Sequence, residues 1–69
     1  MKTVIDNLVN REAVITRLYD DFSAAAMDND LGKSWLRKCG LIAGDGMWAK
    51  IRYANGGVTV RPMSRLEVT

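Results

Sequence analysis

Residues 47–62 constrain the fold more than any other stretch. Met47-Trp48-Ala49-Lys50-Ile51-Arg52-Tyr53 alternates apolar and polar side chains, and Val58-Thr59-Val60-Arg61 does so again. Between them lies Ala54-Asn55-Gly56-Gly57, and Asn-Gly between alternating segments is a strong hairpin signal because both turn residues take positive φ. The spacing predicts an antiparallel β-hairpin with Asn55-Gly56 as its two-residue loop. That loop pairs Ala54 with Gly57, Arg52 with Thr59 and Lys50 with Arg61. Period-two geometry then puts Met47, Ala49, Ile51 and Tyr53 on one face with Val58, Val60 and Pro62. Trp48, Lys50 and Arg52 share the other face with Thr59 and Arg61. Pro62 ends regular pairing, and residues 63–69 read as a tail from which Met63, Leu66 and Val68 can dock.

A lone two-stranded hairpin is marginal in water, so the rest of the chain must cover it. In residues 1–30, apolar side chains fall at Val4, Leu8, Ile15, Leu18, Phe22 and Ala25 or Ala26. These spacings form one helical stripe, with Asp6, Arg17, Asp20 and Asp21 largely off it. The segment reads as a long acidic amphipathic helix that starts near Thr3 or restarts at Asn10, since both are N-cap residues. Three alanines carry it toward Met27, and Asp28-Asn29-Asp30 breaks it. A second, short helix is expected around Gly32–Cys39, capped by Asp30. Leu31, Trp35 and Leu36 or Cys39 form its apolar face, and Lys33, Arg37 and Lys38 its polar one. Gly40 is placed for a left-handed C-terminal cap, with Leu41 making the accompanying contact, and Gly44-Asp45-Gly46 reads as a turn. The expected fold class is α+β: a long N-terminal helix, a short second helix and a C-terminal hairpin, in one domain spanning residues 1–69. A chain this short buries only about 60% of its unfolded surface, so a second copy or another partner is expected to complete the core, with a homodimer as the leading expectation.

Composition removes several chemistries. There is no His, which excludes imidazole acid–base catalysis and Ser-His triads. The one Cys can form neither an intramolecular disulfide nor a thiolate zinc site, and Cys39 reads as a small buried core residue. Asp20-Asp21 and Asp28 to Asp30 match no metal-loop spacing. No cofactor is expected. A single thiol, and no apolar run near the roughly 20 residues of a membrane span, point to a protein of the reducing cytoplasm. Charge is uneven. Residues 1–30 hold three cations against six acids, and residues 31–69 hold seven cations against two, so the net +2 hides halves of −3 and +5. That asymmetry favours an anionic partner for the C-terminal half. On the predicted hairpin, Lys50, Arg52 and Arg61 surround Trp48, a surface suited to a phosphate backbone with the indole stacking on bases. The bland alternative packs Trp48 under the first helix and leaves the cations in solvent.

Trp35-Leu36, two residues, Cys39-Gly40-Leu41, two residues, Gly44-Asp45, an alternating strand, a glycine turn and Val58-Thr59-Val60 make a pattern. Over residues 31–62 it resembles the SymE-type toxins, relatives of the AbrB/MazE swapped-hairpin domains. The resemblance implies a dimer of interleaved hairpins with nucleic acid as target, either a DNA-binding regulator or antitoxin, or a toxin acting on RNA or the nucleoid. Those domains carry a strand where this chain carries its acidic segment, and they offer no catalytic set to place here.

Two functional expectations follow. The first is a small dimeric nucleic-acid-binding regulator or toxin–antitoxin-type protein. Lys33, Arg37, Lys38, Lys50, Arg52 and Arg61 would contact phosphates, and Trp48 would stack on a base or pack on sugar. The second is a small phage-type protein that inhibits a host protein through an acidic helix carrying Glu12, Asp20 and Asp21, or through the hairpin face. An enzymatic reading, a ribonuclease-like toxin, is the least supported, because no acid–base pair is identifiable.

Overall fold

The computed structural model describes residues 2–69. Most of it is one five-stranded antiparallel sheet: β1 (Thr3–Asp6), β2 (Arg11–Tyr19), β3 (Trp48–Tyr53), β4 (Val58–Pro62) and β5 (Leu66–Val68), in the order β4-β3-β2-β1-β5. Two helices, α1 (Phe22–Asn29) and α2 (Ser34–Lys38), connect β2 to β3, and a 3-10 turn over Met63–Arg65 connects β4 to β5.

The long N-terminal helix is therefore corrected to a hairpin followed by a short helix. Two β-branched clusters explain it: Thr3-Val4-Ile5 in β1 and Val14-Ile15-Thr16 in β2 prefer a pleated surface. Asn7–Asn10 turns the chain between them. The Asp6 side chain accepts from Leu8 N–H at 3.0 Å, and Asn10 sits in the left-handed region at φ 54°. Neither Thr3 nor Asn10 caps a helix. The cap is Asp21, whose carboxylate accepts from Ala24 N–H at 2.8 Å, so only the alanine-rich end of the expected helix is helical. Asp30 closes α1 at φ 55° and does not cap α2, which has no side-chain N-cap. Gly40 adopts φ 74° just past α2, and Leu41 N–H reaches back to Leu36 C=O at 2.8 Å.

The second hairpin is present in a shifted register. Tyr53 N–H bonds Gly57 C=O and Gly56 takes φ 90°, so the loop is the three residues Ala54-Asn55-Gly56. Arg52 lies opposite Val58, Lys50 opposite Val60 and Ala49 opposite Arg61. A slip of one residue exchanges the faces of β4 relative to β3. Val58, Val60 and Pro62 thus join Trp48, Lys50 and Arg52, while Thr59 and Arg61 join Ala49 and Ile51. The expected tail is also corrected: residues 66–68 form β5, which pairs with β1 from Asp6–Leu66 to Val4–Val68.

Each face of β3 carries its own apolar cluster. Val4, Ala13, Ala49, Ile51 and Leu66 fill the inner face, with Ile15, Tyr53 and Met63 around them. Tyr19, Trp48 and Val60 on the outer face pack under Ala25 and Cys39 from the helical segment. A β-bulge at Thr16 makes this possible. Ala13 and Ile15 face Tyr53 and Ile51, but beyond the bulge Arg17 faces Lys50 and Tyr19 faces Trp48. The extra residue moves the odd positions of β2 from the inner to the outer face. Phe22 stacks on Trp48 with ring centroids 4.9 Å apart, and Gly44 runs so close that a Cβ there would fall 2.5 Å from Phe22 Cβ.

The sheet also curls. In a flat sheet β4 and β1 would stand about 14 Å apart, yet Arg61 Nε donates to Asp6 Oδ2 at 3.1 Å. Tyr53 Oη donates to the same carboxylate, which is fully buried. Strands β1, β2 and β5 thus extend and curl the sheet beyond the β3–β4 hairpin within one chain.

Candidate nucleic-acid interface

Helix α2 is short, so its position rests on anchors beyond it. The Trp35 Nε1–H donates to Val60 C=O at 3.1 Å, tying the first turn to the edge of β4. Arg65 donates to Cys39 C=O and Gly40 C=O, both at 3.1 Å, satisfying carbonyls at the C-terminal end. Cys39 is buried beneath, and burial pushes its thiol pKa up, so it stays a protonated core group. Held this way, α2 presents Lys33, Arg37 and Lys38 to solvent. Arg37 and Lys38 occupy the last turn, where cations complement the helix dipole.

The cations expected from the sequence divide into two groups. Lys33, Arg37, Lys38 and Arg52 are exposed and Lys50 is half-buried. Among the described residues, none of these five lies within 4.0 Å of a carboxylate. Arg61 belongs elsewhere: its side chain is only 11% exposed and is spent on Asp6, Thr59 Oγ1 and Val60 C=O. Trp48 is corrected as well. It is 0% exposed, under Phe22 and the helical segment, and cannot stack on a base. Arg17, which faces Lys50 across the bulge, is paired with Asp28 at 3.5 Å. The Tyr19 hydroxyl bonds Asp28 and holds its carboxyl below the usual range.

The aromatic residue that meets one of these cations is Trp35. The Lys38 ammonium lies 4.9 Å from its ring centroid, and the half-buried indole lines a groove of about 160 Å³ with Asn29, Leu31, Val58, Thr59 and Val60. Arg52 and Lys50 stand across from Val58 and Val60 on the same face of the hairpin. Leu36, Leu41 and a fully exposed Ile42 line a second depression together with Lys33 and Arg37. The sequence signal for this role of Trp35 was Lys38 at i+3, one helical turn away.

The acidic candidates do not converge. Glu12 and Asp20 sit near opposite ends of β2, separated by up to about 26 Å of strand, and Asp21 is committed to capping α1. Among the described residues, no helix is long and apolar enough to cross a membrane. No protein-family model matches the chain, and neither a curated protein nor a solved structure matches it.

Proposed function

We propose that this chain binds single-stranded nucleic acid along the ridge of α2 and the adjoining outer face of β3, without catalysing a reaction. The observation that carries this reading is the set of five cations, Lys33, Arg37, Lys38, Lys50 and Arg52, none within 4.0 Å of a carboxylate among the described residues, with Lys38 over the Trp35 ring. Unpaired cations around a half-buried aromatic suit a strand whose phosphates and bases can be contacted together. A duplex suits the surface less well. Helix α2 is about 7.5 Å long by its rise, too short to fill a major groove. The resemblance of residues 31–62 to the SymE and AbrB/MazE families implies the same class of target. Inhibition of a host protein through an acidic face has less support, because Glu12 and Asp20–Asp21 lie far apart.

Titration of a fluorescent oligonucleotide at several salt concentrations tests this. Each phosphate neutralised on a single strand contributes about −0.7 to the slope of log K against log salt. Replacing Lys33, Arg37 and Lys38 with Ala is expected to flatten that slope by about 2 and leave the thermal midpoint nearly unchanged. No binding at 20 mM salt, or an unchanged slope in the triple variant, sinks the reading.

A further inference from the structure

The groove beside Trp35 has a hydrogen-bonding wall as well as an apolar floor. Strand β4 is the edge of the sheet. The bonds Tyr53 N–H to Gly57 C=O and Met63 N–H to Met47 C=O set the ladder, so residues 57, 59, 61 and 63 bond toward β3. The N–H and C=O groups of Val58 and Val60 therefore point away from β3, toward the groove. Val60 C=O is taken by Trp35 and Arg61, and Pro62 has no N–H. Among the described residues, Val58 alone keeps both a donor and an acceptor free on that edge. On the opposite wall, the Asn29 amide nitrogen donates to Ala25 C=O at 2.9 Å and to the Tyr19 hydroxyl at 3.1 Å. Its side-chain oxygen is left as an acceptor.

We infer that this groove holds one unstacked nucleobase of the bound strand, with its hydrogen-bonding edge against the Val58 backbone and its ring beside Trp35. The inference rests on the nucleic-acid reading above and names which part of the ligand enters which part of the surface. Every nucleobase carries adjacent donors and acceptors on its pairing edge, and an extended residue offers N–H and C=O side by side. Lys38 at Trp35, and Arg52 and Lys50 opposite Val58 and Val60, place positive charge on both sides, where the flanking phosphates would lie. The second depression, lined by Lys33, Leu36, Arg37, Leu41 and Ile42, has cations and apolar surface but no aromatic ring to lie beside a base. It suits phosphate and sugar, not a base edge.

Two measurements test this separately from the general reading. The first compares a short single-stranded oligonucleotide with an abasic one of the same length, using the unaltered protein. A base in the groove predicts about five- to a hundredfold weaker binding of the abasic strand, as for loss of a stacked base, with a similar salt slope. The second uses Val58→Pro, which removes an N–H that the β3–β4 ladder does not use. It is expected to weaken the natural strand about two- to tenfold and the abasic strand little. Equal affinity for the two strands, with a normal salt slope, overturns the base site and leaves the phosphate reading standing. Failure of both strands to bind at low salt overturns both. If Val58→Pro does not fold, the abasic comparison decides alone.

Discussion

Arg61 and Lys38 approach the same indole, at 5.8 and 4.9 Å from the Trp35 ring centroid. Arg61 comes from β4, is almost buried, and reaches across the curled sheet to a carboxylate with no solvent exposure. Lys38 comes from α2, stands in solvent, and has no acid within 4.0 Å among the described residues. Burying a charge is costly unless it is paired and hydrogen-bonded, so Arg61 and Asp6 are bound to one another by the fold itself. Lys38 carries no such obligation, and its charge is available to a ligand. Two cations of like charge around one ring thus separate the part of the molecule that closes the sheet from the part that can meet a partner.

The largest effect expected from breaking this contrast is at Asp6. Its carboxylate accepts from Arg61 Nε at 3.1 and 3.3 Å, from the Tyr53 hydroxyl and from Leu8 N–H. Asp6→Ala removes the acceptor and leaves a nearly buried guanidinium without its anion, a change that costs about 3–5 kcal/mol. In a domain of this size each kcal/mol moves the melting midpoint by about 4–8 °C. Thermal unfolding followed by circular dichroism should therefore show a drop of more than about 12 °C. Asp6→Leu with Arg61→Met should recover part of that loss, since it removes both charges together. A drop under about 5 °C for Asp6→Ala would mean that Arg61 is no more committed than Lys38.

That contrast is only partly readable in the sequence. Asn-Gly between alternating segments marks the β3–β4 hairpin, but a three-residue loop ending at Gly56 and a two-residue loop at Asn55-Gly56 use the same residues. The shorter loop places Arg61 beside Lys50 and Trp48, as a free cation, whereas the register in the fold places it beside Ala49 and toward Asp6. The first thirty residues mislead for a different reason. Val4, Leu8, Ile15, Leu18 and Phe22 satisfy a helical stripe, but they do so across a turn and a bulge. Each strand is short or interrupted, so no long alternation survives to compete with the helical pattern. The β-branched triplets at 3–5 and 14–16 were the local signal for strands. Of the candidate interface, the basic face of α2 was legible, because Lys33, Arg37 and Lys38 fall opposite the apolar positions of a short helix. The groove was not, because it depends on an edge of β4 meeting Trp35 from 25 residues earlier.

A smaller effect sharpens the buried side of the comparison. Tyr53 has its pKa pushed up to about 12, first by burial and then by the hydrogen bond it donates to Asp6. The folded protein thus holds the Tyr53 proton more tightly than the unfolded chain, whose tyrosine titrates near 10. The resulting stabilisation is fully present below pH 10 and is lost as the pH rises from 10 toward 12. Tyr53→Phe keeps the ring under Arg11, 4.6 Å from its centroid. It removes a bond to a charged group worth about 1.5–3 kcal/mol at neutral pH. Urea unfolding from pH 8 to 12 should show lower stability at neutral pH and a shallower alkaline decline. Part of the decline should remain from Tyr19, which is also raised, by burial and by its bond to Asp28. An unchanged alkaline decline would mean that the Asp6 cluster does not hold the hydroxyl proton.

The smallest expected effect concerns the acids and decides whether any of them shares the ridge with the free cations. Asp21 accepts from Ala24 N–H at 2.8 Å and starts α1. Removing an N-cap of this kind costs about 1 kcal/mol, so Asp21→Ala should lower the midpoint by about 4–8 °C. Its carboxylate lies outside the groove lined by Asn29, Leu31, Trp35 and Val58–Val60. The slope of oligonucleotide affinity against salt should therefore match that of the unaltered protein. A slope steeper by about one phosphate would place Asp21 beside the path of the strand, repelling it. The acidic turn would then belong to the same surface as Lys38, and helix capping would not be its only role.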